Sequence, residues 1–465
     1  MRGRHGDRSG APPRASVVGD LPEQAPVPPP HRRIVRAIAV VGASMGVFAL
    51  ASFLQDVVVA RRFGAGETVD AFVLALVVPT FVAAVVSDAF TASFLPAYVE
   101  AVELHGDEAG RRLFSSVMAV AGPLLVGLTI VLAVLTPALL PLLAGGLDGG
   151  GQALAGSLMF MLVPMVPLSG AAAVWRSTLN ARDRFGLAAI SRSAVQATAI
   201  VAVLVAHGAG IRALAAGIVA GFVVQLSLLA RGVRSAGLPV LPRYRGADAA
   251  VRQVLAQSKP MAWGAAILGG APLVDGAMAS RLGEGSVAAL HYGNRVPMMI
   301  TGIAAAALGT AVFPYLSRLV ATGQWGAARS TVRAYGIGVA AVTAPLAVGL
   351  ALGSEPLVRL LFERGAFGAE DTDVVASVQA LLSLQVPFLL VGVLLTRLVA
   401  ACQANEILMW GAVLSLVLNV VLNLALMEWI GVRGIALSTS LVYLFSSVYI
   451  GILLSRLLKE RSRAR

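Results

Sequence analysis

Few side chains in this sequence could do chemistry, and their spacing sorts them into groups. Asp275, Asn419, Asn423 and Thr439 supply a carboxylate, two amides and a hydroxyl. Together with a freed backbone carbonyl near Ile435 they would form the all-oxygen set that a hard cation takes. Asn419 and Asn423 are four residues apart and share a helix face, so they could equally serve as hydrogen-bond glue between helices. Arg295 follows His291 by one helical turn. A guanidinium fork grips a diphosphate through two parallel N–H donors and never deprotonates, although an arginine at a membrane boundary can also reach out to headgroups. Asp88 stands in an apolar run with no obvious partner nearby, as a proton carrier or a ligand to substrate hydroxyls would. Asp56 and Asp70 lie close to Arg61 and Arg62 and read as structural. Gln55, Gln196, Gln225, Gln379 and Gln385 carry amides that suit neutral sugars if they line a cavity.

The elements that must position these groups are membrane helices. Of the 465 residues 57% are hydrophobic and only 13% charged, and the mean hydropathy is +0.82, which no water-soluble surface of this size tolerates. The apolar runs are continuous over about 20 residues, which excludes the ten-residue alternation of a membrane β-barrel. Reading runs bounded by charges, Gly or Pro gives helices near 34–54, 70–95, 113–143, 153–174, 186–206, 210–230, 261–280, 292–317, 332–352, 374–397, 408–428 and 431–455. The expected fold is therefore an all-α polytopic membrane protein with about twelve spans.

Charge orients it. With residues 1–33, basic and proline-rich, taken as a disordered cytoplasmic tail, 27 of the 36 Lys and Arg fall on the same side, and Arg192 falls within a span. The net charge of +12 is thus topological and does not indicate nucleic-acid binding. The run after the tail exceeds a signal-peptide core, so both termini are expected in the cytoplasm of a bacterial inner-membrane protein. Cys402, the one cysteine, allows no internal disulfide and has no zinc-site companions.

The halves repeat. Pro79 and Pro96 are spaced as Pro297 and Pro314 are, and each second proline precedes Arg111 or Arg329 by 15 residues, an offset of 218. Gly210-Ile211-Arg212-Ala213 is echoed by Gly431-Val432-Arg433-Gly434 at an offset of 221. An even number of spans per unit makes the repeats parallel, as in transporters that rock one bundle against the other around a midplane site. The division expected is a six-helix bundle over 34–235, a basic linker over 236–259, a second bundle over 260–456 and a basic tail over 457–465.

The stretch Val59-Ala60-Arg61-Arg62-Phe63-Gly64-Ala65-Gly66 with Asp70-Ala71-Phe72, Pro79 and Phe94-Leu95-Pro96 resembles the start of the MurJ/MviN-type lipid-linked oligosaccharide flippases of the multidrug/oligosaccharidyl-lipid/polysaccharide exporter superfamily. Gly285-Ser286-Val287, Tyr292-Gly293-Asn294-Arg295, Leu308-Gly309-Thr310, Pro314-Tyr315-Leu316-Ser317 and Leu361-Phe362-Glu363-Arg364-Gly365-Ala366-Phe367 are similar to motifs of its second half. The resemblance covers roughly residues 36 to 455. It implies a V-shaped pair of bundles around a cavity that alternates access, with Arg295, His291, Asn294, Gln55 and Asp88 toward the substrate. It further implies a sodium or proton site in the second bundle and no other cofactor. Members that carry lipid II typically have arginines in the first two spans where this sequence has Ala49, Gln55 and Ala83, and often have two further spans at the end. That departure turns the expectation toward an undecaprenyl-diphosphate-linked exopolysaccharide unit. Lipid II, a cation-coupled drug exporter and a non-transporting envelope scaffold stand as alternatives. Partners would be membrane lipids, the lipid-linked glycan and a glycosyltransferase or polymerase.

No phosphate-binding loop, HExxH or CxxC and no convincing nucleophile elbow is present, which speaks against an enzyme.

Overall fold

The computed structural model describes residues 31–240 and 249–463. The expected tail over 1–33 lies almost wholly outside the described residues, as do the middle of the basic linker and the last two residues of the C-terminal tail.

The first half begins with α1 (His31–Phe63), which runs past the expected boundary at 54. A short turn leads into α2 (Glu67–Leu143), 77 residues long and hence two spans, reversed at Gly106 with φ 81° and ψ 175°. Only glycine takes that conformation without strain. Five prolines lie within α2, including Pro79 and Pro96, which membrane helices tolerate better than soluble ones. The fourth span is α3 (Gly149–Leu162) followed by α4 (Met165–Ala181), the fifth is α5 (Phe185–Ile190) followed by α6 (Ser193–Val205), and the sixth is α7 (Arg212–Ser235).

The second half repeats this order. Its first span is α8 (Ala249–Leu268) with α9 (Ala271–Ala279), broken at Gly269 and Gly270, and α8 begins inside the segment read as a linker. Next come α10 (Ser286–Gly293), α11 (Arg295–Ala311) and the short α12 (Phe313–Ala321), then α13 (Trp325–Leu352) and the short α14 (Ser354–Phe362). The last spans are α15 (Ala369–Ser383) with α16 (Gln385–Ala401), α17 (Asn405–Ile430) and α18 (Val432–Arg463). Nine helical segments among the described residues are individually long and apolar enough to cross a bilayer. The second crossing within α2 and the interrupted pairs α8–α9 and α10–α11 complete the twelve. Trp429 is 85% exposed and Trp263 73%, exposures that suit a lipid-facing surface.

The repeat survives in the backbone. Asp183 and Gln403, the two non-glycine residues with positive φ among those described, have φ 58° and 56° and stand 220 residues apart. Gly210 and Gly431, 221 apart, have φ 57°, ψ −144° and φ 60°, ψ −138°. Each opens the last span of its half.

Packing shows where the halves meet. At the arginine-rich ends the cores are distinct: Phe90, Phe94, Phe114, Trp175 and Leu229 of the first half pack with Val251 and Val254 of α8, where Ser93 Oγ also lies 2.9 Å from Ser258 Oγ, and Leu316, Leu394, Leu398, Ile450 and Leu454 form a second core within the second half. At the arginine-poor ends one core serves both, with Val59, Phe72 and Leu158 packed with Tyr292, Phe362 and Phe367. The molecule is a V with its apex on the arginine-poor side.

The candidate transport cavity and its closed end

The apex is sealed by polar contacts that cross between the halves. Asp70, in the first turn of α2, is fully buried; its two carboxylate oxygens accept the backbone N–H groups of Gly285 and Ala288 at 2.7 Å each. These are free donors at the start of α10, where a helix presents partial positive charge, so an acid from the first half caps a helix of the second. Ala366 N–H donates to the Arg61 carbonyl at 2.8 Å, Tyr292 Oη to the Gly64 carbonyl at 3.3 Å, and Glu67 N–H to Glu284 Oε1 at 3.2 Å. Backbones meet directly here: a Cβ on Gly146 would lie 1.9 Å from the Ser280 carbonyl, and one on Gly365 2.3 Å from that of Arg61.

Just inside the seal, Asp56 of α1 is 3% exposed and engages Arg295 through both oxygens, Nε–Oδ2 at 2.6 Å and Nη2–Oδ1 at 3.0 Å. His291 Nε2 lies 3.1 Å from Arg295 Nη2 and 3.3 Å from Asp56 Oδ1. One ring nitrogen cannot accept from the arginine and donate to the carboxylate at once, so the imidazole's protonation decides which contact is favourable. Asn294 Oδ1 accepts from Gln385 Nε2 at 3.0 Å, fixing the break between α10 and α11.

Beneath this layer a cavity of about 750 Å³ is lined by His291, Asn294, Arg295, Asp275, Asn419 and Thr439, among apolar residues of α2, α9, α10, α17 and α18. The two groups singled out from sequence therefore face one space. Asn419 Nδ2 and Asn423 Nδ2 both donate to Asp275 Oδ1, at 3.0 and 2.7 Å, and the Thr439 hydroxyl also faces that carboxylate. Asn423 Oδ1 is buried with no partner among the described residues. A carboxylate, two amides able to present oxygen, one of them orphaned, and a hydroxyl fit a small hard cation.

Several expectations are corrected. Ile435 does not offer a freed carbonyl: it is fully buried within the continuous helix α18, and its oxygen accepts the Thr439 hydroxyl at 2.9 Å. Asp56 and Asp70 do not pair with Arg61 and Arg62; their partners lie in the other half. Gln55 is half-buried on α1 but does not line the cavity, and Gln225 and Gln379 are buried inside their bundles, leaving Gln385 as the cavity-lining glutamine. Asp88 lines not the cavity itself but an adjoining groove of about 720 Å³ between α2 and α8–α9, with Phe81 and Pro260, which shares Val77, Gly269 and Pro272 with the cavity. It does have a charged neighbour, Arg192 of the fifth span. Asp56 is the cross-bundle ion-pair partner that sequence reading underrated; its burial opposite an arginine some 240 residues away left no local signal.

Two parallel six-helix bundles that share a core at the arginine-poor end and enclose a cavity carrying a cluster of polar groups define a membrane transporter of the exporter fold. Solved structures agree: a lipid II flippase MurJ in an inward closed conformation superposes with a TM-score of 0.76 at 21% identity, covering 89% of this chain and 86% of that one. An inward-facing multidrug resistance MATE family transporter of the MOP superfamily superposes with a TM-score of 0.71 at 13% identity, covering 90% and 96%. Among sequences, a probable lipid II flippase MurJ of Rhizobium meliloti (strain 1021) is 28% identical over 417 residues, 87% of this chain and 77% of its own length. The family model described as lipid II flippase MurJ matches residues 59–463, and the chain belongs to that family, whose members are transporters and not enzymes.

Proposed function

We propose that this protein translocates lipid II, the undecaprenyl-diphosphate-linked peptidoglycan precursor, across the bacterial cytoplasmic membrane by alternating access. The observation that carries the reading is Arg295: it stands inside the cavity beside the sealed apex, with its guanidinium committed to a carboxylate of the opposite bundle. A diphosphate entering the cavity competes with Asp56 for the same fork, so substrate binding and release of the apex draw on one group. The relatives described as lipid II flippases favour this substrate over the exopolysaccharide unit expected from Ala49, Gln55 and Ala83. The positive-inside rule supports placing the arginine-rich side and both termini in the cytoplasm, which makes the apex the periplasmic gate.

Asp275, Asn419, Asn423 and Thr439 are the residues that would hold a coupling sodium ion or proton. A bound cation would supply a fixed positive charge between α9, α17 and α18. The chain's own residues position a carboxylate and two amides there, in a site continuous with the substrate cavity.

The test is growth of cells depleted of their own lipid II flippase. Rescue by the wild-type chain, and its loss with Arg295→Ala, is the expected result. Failure of the well-expressed wild type to rescue, with restored export of a polyprenyl-linked polysaccharide in a second host, would assign the exopolysaccharide substrate instead.

A further inference from the structure

The first bundle carries a second cationic group that the transport cycle as described does not use. Arg176 on α4 and Arg192 at the break between α5 and α6 lie close enough to repel each other, and Asp88 on α2 is the carboxylate near Arg192. A contact between Thr91 Oγ1 and Ser177 Oγ at 3.4 Å pins α2 to α4 one turn from Asp88. Neither guanidinium has a hydrogen-bond acceptor or an ion pair within bonding distance among the described residues. Arg192 is the eighth residue of the 21-residue span Phe185–Val205, about 10 Å inside its arginine-rich end at 1.5 Å per residue. Arg192 is itself exposed, on the side of that span nearer the buried Val195 and Ala199 than the exposed Ile190, Val201 and Leu204.

Two arginines and one acid toward the arginine-rich ends of these spans leave a positive charge uncompensated, and an unmatched charge within a bilayer is costly to retain for structure alone. The environment also holds spare polar atoms: the Trp175 indole N–H, the Ser193 hydroxyl and the Gln196 amide oxygen are buried without partners among the described residues. Trp175 itself is 8% exposed. An anion with several oxygens would satisfy both guanidinium groups and could accept from the Trp175 indole N–H or the Ser193 hydroxyl.

We propose that Arg176 and Arg192 form an entry site on the first bundle for the diphosphate of a polyprenyl-linked glycan, occupied before the headgroup reaches Arg295. This rests on the flippase reading. It places cationic recognition on the fourth and fifth spans of a chain that has Ala49 and Ala83 where arginines are expected in the first two. Asp88 holds Arg192 in place until the phosphate arrives and then competes with it.

The experiment is binding of undecaprenyl diphosphate to the full chain in neutral phosphatidylcholine nanodiscs, read by native mass spectrometry, with phosphatidylglycerol titrated in a parallel arm. Arg176→Gln with Arg192→Gln is expected to weaken diphosphate binding tenfold or more, Arg176→Lys with Arg192→Lys to restore part of it, and Asp88→Asn to strengthen it several-fold. The opposite sign at Asp88 keeps the proposal open to refutation even if the double variant misfolds. Unchanged binding in a folded double variant, or weaker binding in Asp88→Asn, overturns it. So does an equal loss of phosphatidylglycerol binding, which would assign the pair to bulk phospholipid. If the wild type binds no polyprenyl diphosphate at all, the flippase reading falls with it; if the wild type binds and the variants bind alike, only the entry site falls.

Discussion

The Asp70 carboxylate grips the backbone N–H of Gly285, 215 residues away, at 2.7 Å, and so ties the second span of one half to the opening of a helix in the other. With the matching bond to Ala288, it makes two charge-assisted hydrogen bonds of roughly 1.5–3 kcal/mol each. Asp70→Ala should therefore shift the protein away from the closed apex. Spin labels placed across that end should show a longer-distance population that is minor in the wild type; identical distance distributions would mean that Asp70 does not hold the gate.

Locking the same seam should stop transport. Glu67 N–H meets the Glu284 side chain at 3.2 Å. In a Cys402→Ser background, Glu67→Cys with Glu284→Cys should cross-link under oxidation, abolish rescue of flippase-depleted cells, and recover it when a reductant is added. Activity that persists in fully cross-linked protein would show that the apex need not open.

Asp56 and Arg295 should be coupled. Removing either leaves the other charged and poorly matched, at a cost on the order of 1–3 kcal/mol, softened because the arginine side chain remains 35% exposed to the cavity. A double-mutant cycle on thermal unfolding should give a smaller loss for Asp56→Ala/Arg295→Ala than the sum of the singles. Strict additivity would deny the pair an energetic role. Arg295→Lys, which keeps the charge but not the fork, should still impair rescue.

Sodium should stabilise the second bundle through Asp275. A Tm measured in detergent should rise by a few degrees when sodium replaces choline in the wild type, and should be insensitive to sodium in Asp275→Asn. An equal shift in the variant would place the ion elsewhere; no shift in either would favour a proton.

The membrane class was legible because lipid imposes long apolar runs, and the repeat because prolines and glycines mark backbone events that side-chain drift does not erase. That Arg295 and Asp275 face one cavity was also within reach, since ionisable groups at that depth turn inward. What sequence hid were pairings across the halves. Nothing near Asp56 or Asp70 indicates Arg295 or the start of α10, and the adjacent Arg61 and Arg62 pointed to a local cluster instead. The buried Gln225 and Gln379 could not be oriented from one sequence. Ile435 was expected at a broken helix, but the turn at Gly431 leaves α18 intact from Val432. Arg176 read as topology because it lies near a span end on the arginine-rich side.

Gly210 and Gly431 have nothing within 4 Å of the place where a Cβ would be, so crowding does not explain the residue type at either corner. Their torsion angles do, because a φ near 60° combined with a ψ near −140° is a basin that L-amino acids with side chains avoid. Substitution at these two corners is policed by the chain's own stereochemistry, independent of neighbours, ligand or lipid. Common descent of the halves can thus still be read in dihedral angles where their letters have drifted apart.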